Sequence, residues 1–309
     1  MCNINKRGKF LMRILIPIGC RSDEGISKPI IKRLNNNDWC NILPYQLAPA
    51  NFIESYNETL EEIRIFKPNC IFITGDRIEM TAAACAAFHK NIPIIHYGSG
   101  IVNTPISTFD DINRHCISLW ADIALCEDMG SANKVGMLWL NIEKITPIHA
   151  DWGIDKPNVL FQLEERNIYI VGITHLDDLE IDESLVPKEP YDLVLYNPTT
   201  KYAECPIIHL DRDIIVIGPN ADPWLTEWHL KSNYDNLPRP QFLGLLKNCE
   251  RYITNSSSAY YERSIMKEGS EIVMMGDRNK NRSTPTDLKG GASDKIIKII
   301  KEWWLKKNE

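Results

Sequence analysis

The 309-residue chain has no basic excess, no paired cysteines, no long apolar run and no low-complexity tract. Each absence removes a class of function. Lys and Arg number 35 against 41 Asp and Glu, a net charge of −6 with a pI near 5.7. A nucleic-acid surface needs a basic patch to meet phosphates, so no nucleic-acid partner is expected. The nine cysteines, at 2, 20, 40, 70, 85, 116, 126, 205 and 249, never occur as CxxC. Dispersed thiols in odd number inside apolar segments point to a reducing cytoplasm, not to a disulfide framework or a zinc site. No metal and no organic cofactor are expected. Apolar runs such as Ile214–Ile217 are far too short to span a membrane, so no membrane partner is expected. The leading MCNINKRGKFL is basic but lacks an apolar core before Pro17 and Gly19. It is expected to be a loose leader and not a signal peptide, with Met12 as an alternative start.

Apolar residues at 44% and charged residues at 25% supply the core of an ordinary globular enzyme. Short apolar runs, the strand candidates, lie at 13–18, 70–74, 92–96, 123–126, 144–148, 167–173, 193–196, 214–217, 252–254 and 271–275. Amphipathic helix candidates lie at 26–34, 52–66, 80–90, 110–119, 130–138, 241–248, 259–267 and 293–306. Continuous apolar strands alternating with helices imply parallel sheets covered on both faces. The pattern runs twice, with the charged stretch 151–166 between the runs. The expected fold class is therefore α/β, with two doubly wound Rossmann-like domains, 12–155 and 156–309, facing a cleft. Ligands of open α/β sheets bind where the strands end and the helices begin.

Charged residues gather at those strand ends. GCRSDEG places Arg21 after the first strand, either aimed at a ligand or paired with Asp23. GDRIEM places Asp76 and Arg77 at the next exit. Capping explains the acid, whereas a cation opposes the helix dipole and calls for an anionic ligand or a carboxylate partner. DDINRH opens another helix with Asp110 and Asp111, where Asp111 shares a face with His115 and Asp110 with Arg114. These acids are either caps with an ion pair or general acid/base groups. In the second run, ITNSSSAYYE places Ser256 and Ser257 between a strand and a helix carrying Glu262. Serine hydroxyls with free backbone N–H groups can cradle phosphate, or simply cap the helix.

In this order, GCRSDEG, GDRIEMTAAACAA, NIPIIH, DDINRH, PNAD, FLGLLKN–ITNSSS with Glu262, and GDRNKNR resemble the UDP-N-acetylglucosamine 2-epimerase family, over residues 13–285. The likeness is strongest to its hydrolysing branch, used in sialic-acid-type sugar synthesis. The resemblance implies a glycosyltransferase-B-like fold and a UDP-sugar partner with its diphosphate held by the second domain; a homo-oligomer is expected. It implies elimination of UDP and C2 inversion to an N-acetylmannosamine-type sugar. Asp76, Asp110, Asp111 and His175 would be catalytic. Arg21, Arg77, His96, Asn220, Ser256, Ser257, Glu262 and Arg282 would bind substrate. Two departures stand out. After His96 the family's turn carries one or two glutamates, but here Gly98 and Ile101 occupy those places. The family's His-Pro after the first strand of the second domain is matched by His175-Leu176, or else by Asn197. An intact nucleotide half beside a depleted catalytic half also fits a glycosyltransferase-like enzyme or a non-catalytic sugar-nucleotide-binding protein.

Overall fold

The computed structural model describes residues 11–19, 21–48, 51–102, 109–150, 167–197, 213–219, 231–276, 279 and 290–308, with backbone alone at 21–24 and 140–150. The chain divides into two compact units: Met1–Ile101 with Asp110–Thr174 and Gly291–Glu309, and Val102–Phe109 with His175–Gly290.

The first unit is built on a six-stranded parallel sheet of order β2-β1-β3-β4-β5-β6. Its strands are β1 (Met12–Ile18), β2 (Cys40–Gln46), β3 (Cys70–Thr74), β4 (Ile94–Tyr97), β5 (Ile123–Cys126) and β6 (Asn167–Ile170). Between them run α1 (Arg21–Asn35), α2 (Phe52–Phe66), α3 (Ile78–His89), α4 (Phe109–Trp120) and α5 (Met129–Ala150). Alternate residues of β1 and β3 feed opposite faces. Ile14, Ile16, Cys70 and Phe72 pack on one side with Ile30 and Leu34 of α1. Leu15, Ile71 and Ile73 pack on the other with Ile63, Met80 and Ala83. The alanines of α3 are buried, and their small side chains let that helix lie close to the sheet.

The second unit carries a four-stranded parallel sheet of order β10-β9-β7-β8. Its strands are β7 (Tyr191–Leu195), β8 (Asp213–Ile217), β9 (Arg251–Thr254) and β10 (Glu271–Met274). Its helices are α6 (Arg239–Asn248) and the single-turn α7 (Ser258–Tyr261), and α8 (Ala292–Lys306) follows in the chain.

Several expectations are corrected. Strand β6, assigned above to the second domain, pairs in parallel with β5 from Ile123↔Asn167 to Cys126↔Ile170 and so completes the first sheet. Helix α8 also belongs to the first unit: Ile296, Ile300 and Trp303 bury against Met12, Ile14 and Phe72. Residues 144–148, expected as a strand, lie within α5. The helix expected at 259–267 stops at Tyr261 and continues as a 3-10 turn, Arg263–Ile265. Strand β2 was missed because Pro44 interrupts CNILPYQ; β2 is an edge strand, where a proline's missing donor costs no inner ladder bond.

Candidate functional site

Both sheets reverse winding at a defined place. From β1 the chain crosses to β2 on one side and returns to β3 on the other; from β7 it goes to β8 and returns to β9. Open α/β sheets bind ligands outside the carboxyl ends of the strands flanking such a reversal. In the first unit those ends are Gly19 and Gly75-Asp76; in the second they are Asn197 and Asn255-Ser256.

At the first reversal, Gly75 takes φ +82°, turning the chain sharply out of β3. Helix α3 begins at Ile78 with Arg77 as its N-cap residue, which makes no side-chain cap. Asp76 therefore lies outside the helix and is not the capping acid. Its carboxylate pairs with Arg114 of α4. Arg114 also donates through Nη1 to Asp111 Oδ1 (3.2 Å) and to the Ile101 carbonyl (2.8 Å). The Arg114 side chain is 5% exposed, Asp111 1% and Asp76 18%. Asp76 is thus the acid of the pair that reaches solvent. Asp110, half-buried, stands with Asp111 in the first turn of α4, where the helix dipole favours both carboxylates. Asp111 pairs with Arg114 at i,i+3, within the same helix. Arg77 meets the second of the two alternatives considered for it: its Nε lies 2.7 Å from Oε1 of the fully buried Glu79.

His96, expected to bind substrate, is an internal brace in the structure. It is fully buried at the end of β4. Its Nε2 donates to the Gly75 carbonyl (3.0 Å), and its Nδ1 lies 3.1 Å from Ser118 Oγ and 3.0 Å from Ser99 Oγ. Ser99 donates to the His96 carbonyl (2.9 Å), which leaves Ser118 as the donor to Nδ1. Desolvation, partly opposed by the bond to Gly75, pushes the imidazole down to about 4, so it is neutral near pH 7. His115 is also shifted down, by burial and then by Arg114, and its buried Nδ1 has no hydrogen-bond partner among the described residues.

The turn after β4 is tightly wound. Gly98 and Gly100 have φ of +85° and +77°, and a Cβ on Gly100 would stand 2.1 Å from the Ser131 carbonyl oxygen. Ile101, where a carboxylate was expected, is buried. Tyr97 is a core residue whose hydroxyl accepts from Thr174 N–H (3.0 Å).

At the second reversal Asn255 Oδ1 accepts from Asn197 N–H (2.8 Å), and its Nδ2 donates to the Asn197 carbonyl (2.6 Å). This amide clamp joins the ends of β7 and β9 and fixes the start of the serine run. Ser258 donates through Oγ to Ser256 Oγ (3.0 Å) and through N–H at 3.3 Å. Ser257 is the N-cap residue of α7 but makes no side-chain cap. Glu262 is 2% exposed, with Oε1 2.9 Å from Nη2 of the partly exposed Arg239, so its carboxylate fixes that arginine. Arg239 also donates to the His175 carbonyl (2.7 Å), and the His175 ring stacks on Tyr261 with centroids 3.9 Å apart. Because β6 belongs to the first sheet, the first strand of the second sheet is β7, and Tyr196 and Asn197 follow it, while His175 opens the second unit.

The side chain of Arg21, at the start of α1, and all of Asn220 and Arg282 lie outside the described residues. Sequence reasoning missed Arg239, which stands in LPRPQF with no helical periodicity to mark it. It also passed over Arg114 as a site residue; the signal was its place one turn after two acids.

Comparison with known proteins agrees with this fold. The hydrolysing UDP-N,N'-diacetylbacillosamine 2-epimerase of Legionella pneumophila is 23% identical over 333 residues, covering 88% of this chain and 83% of that protein. The hydrolysing GDP/UDP-N,N'-diacetylbacillosamine 2-epimerase of Campylobacter jejuni is 24% identical over 254 residues, 74% of this chain and 60% of its own length. The structure of UDP-GlcNAc 2-epimerase from Neisseria meningitidis bound to UDP-GlcNAc superimposes with a TM-score of 0.66 at 13% identity, over 94% of this chain and 100% of that one. Residues 48–203, from the connection before α2 through β7, match the family model for UDP-N-acetylglucosamine 2-epimerase, and the chain belongs to that family.

Proposed function

We propose that the chain is a hydrolysing UDP-sugar 2-epimerase acting on a UDP-N-acetylglucosamine-type substrate. The observation that carries this is Asp76: a carboxylate at the β1/β3 reversal, partly open to solvent and held by a buried guanidinium. A base that removes the C2 proton needs such a fixed, accessible position. In the proposed reaction Asp76 takes that proton, the C2–H electrons form the C1=C2 bond, and the C1–O bond breaks with its electrons leaving on UDP. Water then adds its hydroxyl to C1, and a proton returns to C2 from the opposite face. Asp110 is the candidate acid for that return.

Ser256 and Ser257 are the proposed diphosphate contacts. Their place at the β7/β9 reversal supports the assignment, as does the Ser257 hydroxyl that is not used in capping. The hydrolysing character rests on the two bacterial relatives whose names carry it. A reducing cytoplasm and a homo-oligomer remain part of the proposal. Buried free thiols at Cys70, Cys126 and Cys249 support the compartment.

A second reading is favoured by Gly98 and Ile101, which leave the turn after β4 without a carboxylate. In that reading the UDP-sugar is bound or transferred without C2 exchange. Incubation with UDP-N-acetylhexosamines in D2O separates the two by NMR. Released UDP, with a C2-inverted free sugar carrying deuterium at C2, supports the epimerase, and Asp76→Asn should abolish that label. UDP release with no exchange at C2 would overturn it in favour of transfer or simple hydrolysis.

A further inference from the structure

We infer that Arg114 is a positioning residue that holds Asp76 in place, and that Asp111 acts on the site through Arg114 and not on the substrate. This rests on the reading of Asp76 as the proton-transfer group and refines it. Three elements meet at this one guanidinium. Its Nη2 pairs with Asp76 at the exit of β3, and its Nη1 bonds Asp111 at the start of α4 and the Ile101 carbonyl after β4. None of the three partners is adjacent to another in sequence, so no local backbone preference sets their geometry. Arg114 sets it.

Burial then divides the two acids. Asp111 is 1% exposed, and a carboxylate so enclosed cannot approach a sugar without opening the helix start. Asp76 is 18% exposed and can. A planar guanidinium with donors in a fixed fork orients a carboxylate in a way a lysine ammonium does not. The turn after β4, which offers no side-chain acid, is tied into the same assembly by its main chain at Ile101. A displacement of about 1 Å at a reacting group costs on the order of a hundredfold in rate, so loss of the fork should appear in kcat.

The test is a double-mutant cycle on the full chain. Arg114→Lys should lower kcat about a hundredfold while UDP affinity, a property of the second unit, changes less than about twofold. Asp111→Asn alone should lower kcat, but in the Arg114→Ala background it should cost nothing further, because its route to Asp76 is already cut. Added guanidinium at sub-denaturing concentration should restore part of the Arg114→Ala rate. Multiplicative losses in the cycle, with no guanidinium rescue, would overturn the inference and make Asp111 a direct participant. Unchanged UDP binding and thermal midpoint identify variants that remain folded, and Arg114→Lys serves if Arg114→Ala does not fold. The same cycle read on the Asp76 carboxylate carbon by NMR needs no turnover. An Asp111→Asn effect on that resonance should vanish in the Arg114→Ala or Arg114→Lys background, and persistence there would refute the positioning route. A wild type with no C2 exchange would sink the proposed reaction alone, leaving this readout to decide the role of Arg114.

Discussion

Neutral His96 braces the strand end that carries Asp76, and this predicts a specific acid sensitivity. Its imidazole ordinarily titrates near 6.5 and is pushed down to about 4 by full burial. A base whose folded pKa lies below its unfolded one binds more protons when unfolded, so acid favours unfolding. Its contribution is fully present above about pH 6.5, falls as the pH drops toward 4, and levels off below. At about 1.4 kcal/mol per pH unit, a fall from 6.5 to about 4 amounts to roughly 3 kcal/mol. His96→Gln removes the titration and keeps an N–H able to reach the Gly75 carbonyl. It should lower stability at pH 7 by about 1–2 kcal/mol through imperfect packing and the altered bond to Ser118. That deficit should shrink, then reverse, as urea midpoints are followed from pH 7 to pH 4. Because the chain has two units, the comparison belongs on a probe in the first, such as Trp139, whose Nε1 donates to the Ser118 carbonyl. The ring carbon resonances of His96 supply a direct check. Parallel pH profiles for the two proteins, or a His96 titrating near 6.5, would refute the reasoning.

Three further predictions bear on the turn after β4 and on the second unit. Gly98→Ala should cost only about 1–2 kcal/mol, because its Cβ would stand 3.7 Å from Ile101 Cδ1 and the penalty is the left-handed backbone alone. Gly100→Ala must also displace α5 from a 2.1 Å overlap with the Ser131 carbonyl, so it should lose more than about 3 kcal/mol; equal thermal shifts would contradict that packing. Ser257→Ala should weaken UDP binding about tenfold by calorimetry, near the 1.5 kcal/mol of one charge-assisted hydrogen bond, and leave the thermal midpoint unchanged. Glu262→Ala should lower the midpoint instead, since it removes the carboxylate that holds Arg239; a Glu262→Ala protein of full stability would contradict the buried pair.

What the sequence discloses here divides along the range of the interactions. Strand and helix alternation is local, and it carries α/β architecture with apolar cores such as Ile71–Ile73 and Leu193–Val194 directly. Strand exits are local too, so Asp76 and the Ser256–Ser257 run could be placed at the ends of strands from Gly75 and Thr254 onward. Sheet membership is not local. Nothing in NIYIVGITH distinguishes a first strand of a second domain from a last strand of the first; the hydrogen bonds from β6 to β5 decide it. That single pairing moves His175 off the second sheet and leaves Asn197 at the exit of β7. The same limit governs the arginines. Arg114 and Arg77 each had two acidic neighbours in sequence, and helical spacing suggested Asp110 for Arg114. The chosen partners, Asp76 and Asp111 for one and the buried Glu79 for the other, follow from which carboxylates the fold desolvates. A buried carboxylate without a cation is costly, so burial selects the ion pair and spacing only permits it. Acidic residues in such a motif therefore divide into those the arginine needs and those the substrate can reach, and only the three-dimensional arrangement, with Asp111 inside and Asp76 at the edge, separates them.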